Sequence, residues 1–174
     1  QKRARNGEYV HADSIHFADS LRYRTARGRP VYGGGGIMPD LFVARDTSAQ
    51  SGYYVQLQSL NLVREFALGY YQDHKAELEA LRFEQFGEQF RISDVQLQLL
   101  ATRAMQSGLP ANAAGLRRCA PLLRTQLKAC IARSAYGKAA YFRVLNHDDA
   151  EMQQALNAIR EPGNNTALLG LAGQ

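Results

Sequence analysis

Four consecutive glycines, Gly33 to Gly36, lie between two apolar runs and constrain this chain more than any other feature. Glycine tolerates φ > 0 and lets two backbones approach closely, at an entropic cost that favours its use where a fold requires it. The flanks argue for a folded loop: Val31-Tyr32 before it and Leu41-Phe42-Val43 after it read as short buried strands. A phosphate-cradling loop would end in Gly-Lys-Ser/Thr. Here Ile37-Met38-Pro39 follows, and Pro39 removes a backbone donor where an anion would need one. Gly28, Arg29, Val31, Tyr32, Gly33, Gly34, Gly35, Gly36, Ile37, Pro39 and Asp40 are therefore read as one structural motif.

Up to about Val43 the chain has strand-and-turn character. Glu8-Tyr9-Val10 reads as a short strand. Ser20 to Thr25 alternates polar and apolar residues, as a half-buried strand does. Ala26-Arg27-Gly28 supplies a turn, and Arg29 to Tyr32 returns as the second strand of a hairpin.

From Asp46 the pattern becomes helical. Asp46, Thr47, Ser48 and Ser51 are N-cap candidates. Beyond them Leu60, Val63, Ala67, Tyr70, His74, Leu78 and Leu81 step by three or four, which predicts one long amphipathic helix. Phe83, Phe86 and Phe90 form a dense aromatic cluster interrupted by Gly87. Ser93 with Gln96 forms a capping box, Ile92 staples onto Leu97, and Gly108-Leu109-Pro110 stops that helix. Leu116, Leu123, Leu127 and Ile131 share one face of the next, in which Pro121 either opens the stronger half or kinks it. Gly137 ends it. A short helix follows over Lys138 to Leu145, and a last one opens at Asp148 with Met152, Ala155, Leu156 and Ile159 as its apolar stripe. The expected organisation is mainly α with a small β part: residues 1–45 strands, 46–162 a helical domain, 163–174 a flexible tail.

The charge of +5 and the basic clusters, such as Arg117, Arg118, Arg124, Lys128 and Arg133, raise the question of nucleic acid. The basic residues are mixed with Asp and Glu and accompany no nucleic-acid motif, so they read as solvated faces. Tyr53, Tyr54, Tyr70, Tyr71, Phe83, Phe86 and Phe90 fall at helical spacing and read as packing rather than base-stacking platforms. His11, Asp13, Ser14, His16, Asp19 and Ser20 crowd together, but triads are assembled from distant segments. His11 and His16, five apart, share no face of a helix or strand, so no metal site is assigned. His74 reads as a boundary histidine, and His147 as loop chemistry at a helix start. Cys119 and Cys130, on one helix, would lie about 16 Å apart along it, beyond disulfide reach, and are expected as buried free thiols. No apolar run is long enough to span a membrane, and no cofactor is assigned.

The glycine block resembles the GR-x-VYGGGGI-x-PD segment near the end of the peptidase core in one branch of the tail-specific (C-terminal processing) serine peptidases. The similarity extends outward. Gln1-Lys2 is similar to the end of that family's G-R-x-I-Q-K turn, and Asn6-Gly7 to the loop after it, although Arg3-Ala4 replaces the common Pro-Tyr. Asp19-Ser20-Leu21-x-Tyr23-x-Thr25 resembles its D-S-L-x-Y-K-T strand, and Asp40-x-Phe42-Val43 the strand after the glycines. Leu62 to Leu68, Arg124 to Arg133, Tyr136-Gly137 and Leu145-Asn146 are similar to the helical C-terminal region of the same branch.

The resemblance implies the last strands of a ClpP/crotonase-like peptidase core followed by a helical C-terminal domain, in the periplasm or cell envelope. It implies a Ser nucleophile with a Lys general base and a PDZ-type domain that captures substrate C-termini. Both catalytic residues precede the position that Gln1 matches, so no catalytic residue is assigned here. The chain, which begins without Met, is expected to be excised from a longer peptidase and silent alone. Its expected partners are the rest of that core, protein or peptide substrates and a further copy of itself. The alternative is a stand-alone helical protein-interaction module retaining a protease relic.

Overall fold

The computed structural model describes residues 19–26, 28, 30–33, 42–44 and 46–160. Residues 47–149 form one compact unit, and the described parts of 1–46 and 150–174 group as a second.

In the second of these, a 3₁₀ turn at Asp19–Leu21 leads into strand β1 (Arg22–Arg24), which pairs antiparallel with β2 (Pro30–Tyr32). The register sets Arg22 against Tyr32, Tyr23 against Val31 and Arg24 against Pro30. This is the hairpin expected from the alternation. Its turn places Gly28 at φ 80°, and the Gly28 N–H donates to the Thr25 carbonyl at 2.9 Å. The Gly33 N–H donates to the Leu21 carbonyl at 2.7 Å. A Cβ on Gly33 would lie 2.8 Å from Tyr23 Cε2, so the first glycine of the run is where the ring of the facing strand rests.

Two expectations need correction. Val31 is exposed rather than buried, as is every residue of β1, because two three-residue strands have little surface with which to cover each other. Phe42 and Val43, expected as a strand, are half-buried in irregular backbone, with no partner strand among the described residues to form a ladder. Glu8-Tyr9-Val10 and Leu41 lie outside the described residues.

The helical unit starts at Ser51, the one N-cap candidate of the four that is used. Its Oγ accepts from the Tyr54 N–H at 3.2 Å and donates to the Gly115 carbonyl at 3.4 Å, tying two distant helix starts together. Helix α1 (Gly52–Ser59), α2 (Leu62–Asp73) and α3 (Lys75–Ala80) replace the single long helix expected from the stripe. The chain breaks at Asn61, in the left-handed region at φ 58°, which asparagine tolerates better than most residues. It breaks again at His74. The turns let Leu57, Val63, Ala67 and Leu78 all face one core while Leu60, nominally in the stripe, is left 48% exposed.

Helix α4 (Phe83–Gln89) carries the aromatic cluster. The Phe86 ring stacks on Phe90 at 4.7 Å and tilts against Tyr136 at 5.4 Å. Helix α5 (Asp94–Gln106) has the expected capping box: Ser93 Oγ accepts from the Gln96 N–H, and Gln96 Oε1 accepts from the Ser93 N–H at 2.6 Å. It ends in a Schellman motif. Gly108 at φ 90° donates to the Met105 carbonyl, and Leu109 donates back to Ala104 while its side chain is buried.

Helix α6 (Ala113–Tyr136) runs through Pro121 to Gly137, and α7 (Lys138–His147) packs back on it. Helices α1, α2, α3 and α5 also pack on α6. Leu116, Leu123, Leu127 and Ile131 are buried on it as expected. Cys119 and Cys130 are free, the first buried and the second half-buried.

Helix α8 (Ala150–Arg160) belongs to the other unit and contains no buried residue; Ile159 in its expected apolar stripe is 69% exposed. Among the described residues no helix is long and apolar enough to cross a membrane.

Leu127 has no exposed surface at the centre of α6. Leu127→Ala is expected to destabilise the protein by about 2–5 kcal/mol in urea unfolding. Leu99→Ala, at a site 54% exposed, should stay within about 0.5 kcal/mol.

Candidate functional site

Of the glycine motif, Gly28, Val31, Tyr32 and Gly33 are placed in the hairpin and its exit. Arg29, Gly34, Gly35, Gly36, Ile37, Pro39 and Asp40 lie outside the described residues, as do His11, Asp13, Ser14 and His16. Among the described residues no group of three or more His, Cys, Asp or Glu side chains could hold a metal ion.

The histidines that are described sit at element ends. His74 Nδ1 lies 3.5 Å from Glu77 Oε2, and its ring packs on Tyr70 at 4.3 Å, the boundary position expected of it. His147 was expected at a helix start. It is the last residue of α7, and its Nδ1 lies 2.6 Å from Asp148 Oδ1. Asp148, expected to open the next helix, is instead the C-cap residue of this one.

The expected packing aromatics are packing aromatics. Tyr53 and Phe86 are buried in the core, and Tyr54, Tyr70, Tyr71, Phe83 and Phe90 pack against it. Tyr136 donates its hydroxyl to the Leu78 carbonyl at 2.6 Å. Several basic residues of α6 hold neighbouring segments. Arg118 Nε donates to the Ser48 carbonyl at 2.7 Å, and Arg124 bridges the Ile92 carbonyl and the Asp94 carboxylate.

Among the described residues, an open groove of about 870 Å³ lies between α4, α6 and α7. That volume lies within the usual range for small-molecule and peptide-segment sites. Phe83, Ile92, Pro121 and Val144 supply its apolar surface, and Arg91, Arg124, Lys128 and Arg143 its cations. Arg143 stands over the Phe83 ring at 4.4 Å and pairs with Glu84 at 3.5 Å.

At one wall the C-terminus of α4 leaves carbonyls without helical donors. Lys128 Nζ donates to the Gly87 carbonyl at 2.6 Å, and Arg91 Nη1 donates to the same oxygen at 3.2 Å. Arg91 Nη1 also reaches the Phe90 carbonyl at 2.9 Å. Burial pushes the Lys128 amine below its ordinary value, and the Arg91 charge pushes it further; the Asp148 carboxylate opposes this. The sequence marked Lys128 as one of many solvated cations. What distinguishes it is the Gly87 carbonyl, which receives two cations at once.

The titrating groups of the core set its alkaline stability. Burial raises the thiols of Cys119 and Cys130 and the phenols of Tyr53, Tyr70 and Tyr136. Each holds its proton in the folded state after the unfolded chain has released it, so folding stability falls as pH rises through 9.0 and 10.0, the ordinary thiol and phenol values. Lys128 has the opposite sign: its folded state releases the proton first, so its contribution rises with pH up to the ordinary 10.5. Urea unfolding across this range should show a net alkaline loss, and Lys128→Met should make that loss steeper.

Residues 53–137 match a family of unknown function (DUF8443), a stretch that runs from the first turn of α1 to the glycine ending α6. No curated protein and no solved structure matches the chain.

Proposed function

We propose that this chain is the non-catalytic C-terminal segment of a tail-specific serine peptidase of the cell envelope. Residues 1–45 would complete the peptidase core, and the helical unit would be an accessory domain that braces the core or docks a partner. The Ser/Lys dyad would reside in the part of the parent that precedes the position matched by Gln1.

The observation that carries this reading is the hairpin leading into the glycine block. It pairs as the antiparallel hairpin expected from its sequence, yet Leu21, Tyr23 and Val31 remain more than a third exposed. Short strands with bare apolar side chains suit the margin of a larger sheet, and left uncovered they tend to associate. A second reading, a stand-alone helical interaction module, is favoured by a different observation. The core of the 47–149 unit is built from its own helices, and the family match falls wholly inside it.

Sequencing the gene upstream of the Gln1 codon separates the two. An open frame carrying a PDZ-like segment and the Ser and Lys motifs is expected; a start codon or an unrelated domain there would refute the peptidase reading. In sedimentation velocity, the chain should self-associate with rising concentration, and the double substitution Tyr23→Ser, Val31→Ser should reduce that association. A monomer at every concentration would count against a cut sheet edge. Proteolysis by the purified chain, surviving removal of trace contaminants, would sink the claim that it is silent alone.

A further inference from the structure

The groove wall at the end of α4 holds more positive charge than the fold requires. One carbonyl, Gly87 O, receives both Lys128 and Arg91, which brings two like charges together at a wall of the cavity. Among the described residues no carboxylate lies within 4.0 Å of either. The other charges facing the groove are accounted for. Arg143 pairs with Glu84, Arg124 with Asp94, and Asp148 with His147. Glu88 is exposed on the rim. The Asp148 and Glu84 side chains are also mostly exposed, at 72% and 62%, where water screens them. Lys128 is half-buried and less screened than these acids, though the Asp148 charge still acts on it.

We propose that this groove binds a peptide segment by one carboxylate, held between Lys128 and Arg91, with apolar neighbours lying on Phe83, Ile92, Pro121 and Val144. The apolar surface suits a ligand with a hydrocarbon body rather than a small inorganic anion. Glu84, Glu88 and Asp148 on the same lining repel a polyanion, which disfavours nucleic acid and phosphorylated chains. A singly charged carboxylate meets the two cations without placing further charge near those acids. The Lys128 amine, lowered by burial and by Arg91, would be restored toward its ordinary value by the bound carboxylate. The site stands on the groove alone and does not depend on the peptidase reading.

The test is fluorescence anisotropy on the full chain with two equally labelled, C-terminally amidated peptides, Leu-Ser-Glu-Leu-Ser-Leu and its Gln counterpart. Saturable binding of the Glu peptide is expected, with the Gln peptide weaker by about ten-fold, the scale of a charge-assisted hydrogen bond. Lys128→Met and Arg91→Gln should each weaken the Glu peptide by about ten-fold and leave the Gln peptide unchanged. Arg91 is largely exposed, so its variant tests the site even if Lys128→Met disturbs folding, which circular dichroism would report. Equal binding of the two peptides, absence of saturable binding, or insensitivity to Arg91→Gln would overturn the proposal. Displacement of the Glu peptide by inorganic phosphate at equal concentration would also overturn it, by showing a site for free anions.

Discussion

The helical unit depends on one contact surface, the apolar face of α6. Leu116, Cys119, Leu123, Leu127, Ile131 and Ala132 are all buried along it, and five other helices of the unit pack on this one rod. A 24-residue helix is long enough to serve several neighbours at once, at about 1.5 Å per residue. It does so despite Pro121, which has no N–H to donate and crowds the preceding turn. The cost of a proline in a helix interior is about 3 kcal/mol, so burial on both sides of it must outweigh that. Leu123 and Leu127 on one side, Leu116 and Cys119 on the other, supply it. At about 25 cal/mol per Å² of apolar surface, two fully buried leucines contribute more than the proline removes.

Packing everything on α6 also explains where the groove lies. Helix α4 is seven residues long and is held mainly by its aromatic side, with Phe86 buried, stacked on Phe90 and tilted against Tyr136. Its C-terminal carbonyls therefore point away from the core, toward side chains of α6. Lys128 lies one residue beyond the buried Leu127, at the margin of the core. Its ammonium stands over the Phe86 ring, 5.7 Å from the centroid, and donates to Gly87 O. The groove is the gap left where a short helix meets a long one and α7 folds back to form the third wall.

Much of this was legible from local chemistry. The capping box at Ser93, the glycine stops at Gly108 and Gly137, the hairpin turn at Gly28 and the α6 stripe are each decided within a few residues. The misreadings share a cause. A three-to-four residue stripe from Leu60 to Leu81 fits one helix or two shorter helices facing the same core, and periodicity alone does not distinguish them. What decides between them is the left-handed Asn61 and the turn at His74, which are tolerated conformations rather than demanded ones. Val31 and Phe42 were read as buried because they are apolar, but burial depends on a partner surface that local sequence does not contain. The groove is not legible in the sequence because Arg91 and Lys128 are 37 positions apart and meet through the Gly87 carbonyl.

The basic composition of the chain has a physical use that differs from a nucleic-acid footprint. Arg118, Arg124 and Lys128 each donate to a backbone carbonyl of a segment 30 to 70 residues away: Ser48, Ile92 and Gly87. Long cationic side chains on a central helix can reach over the core edge and satisfy carbonyls at the ends of shorter helices and in loops, which would otherwise face solvent or lack a donor. A carboxylate could not do this, because it accepts and carbonyls accept too. The excess of Arg and Lys on α6 thus follows from its position in the unit. At Gly87 O, Lys128 of α6 and Arg91 of the loop after α4 converge on one acceptor, and this pair is what the proposed carboxylate would meet.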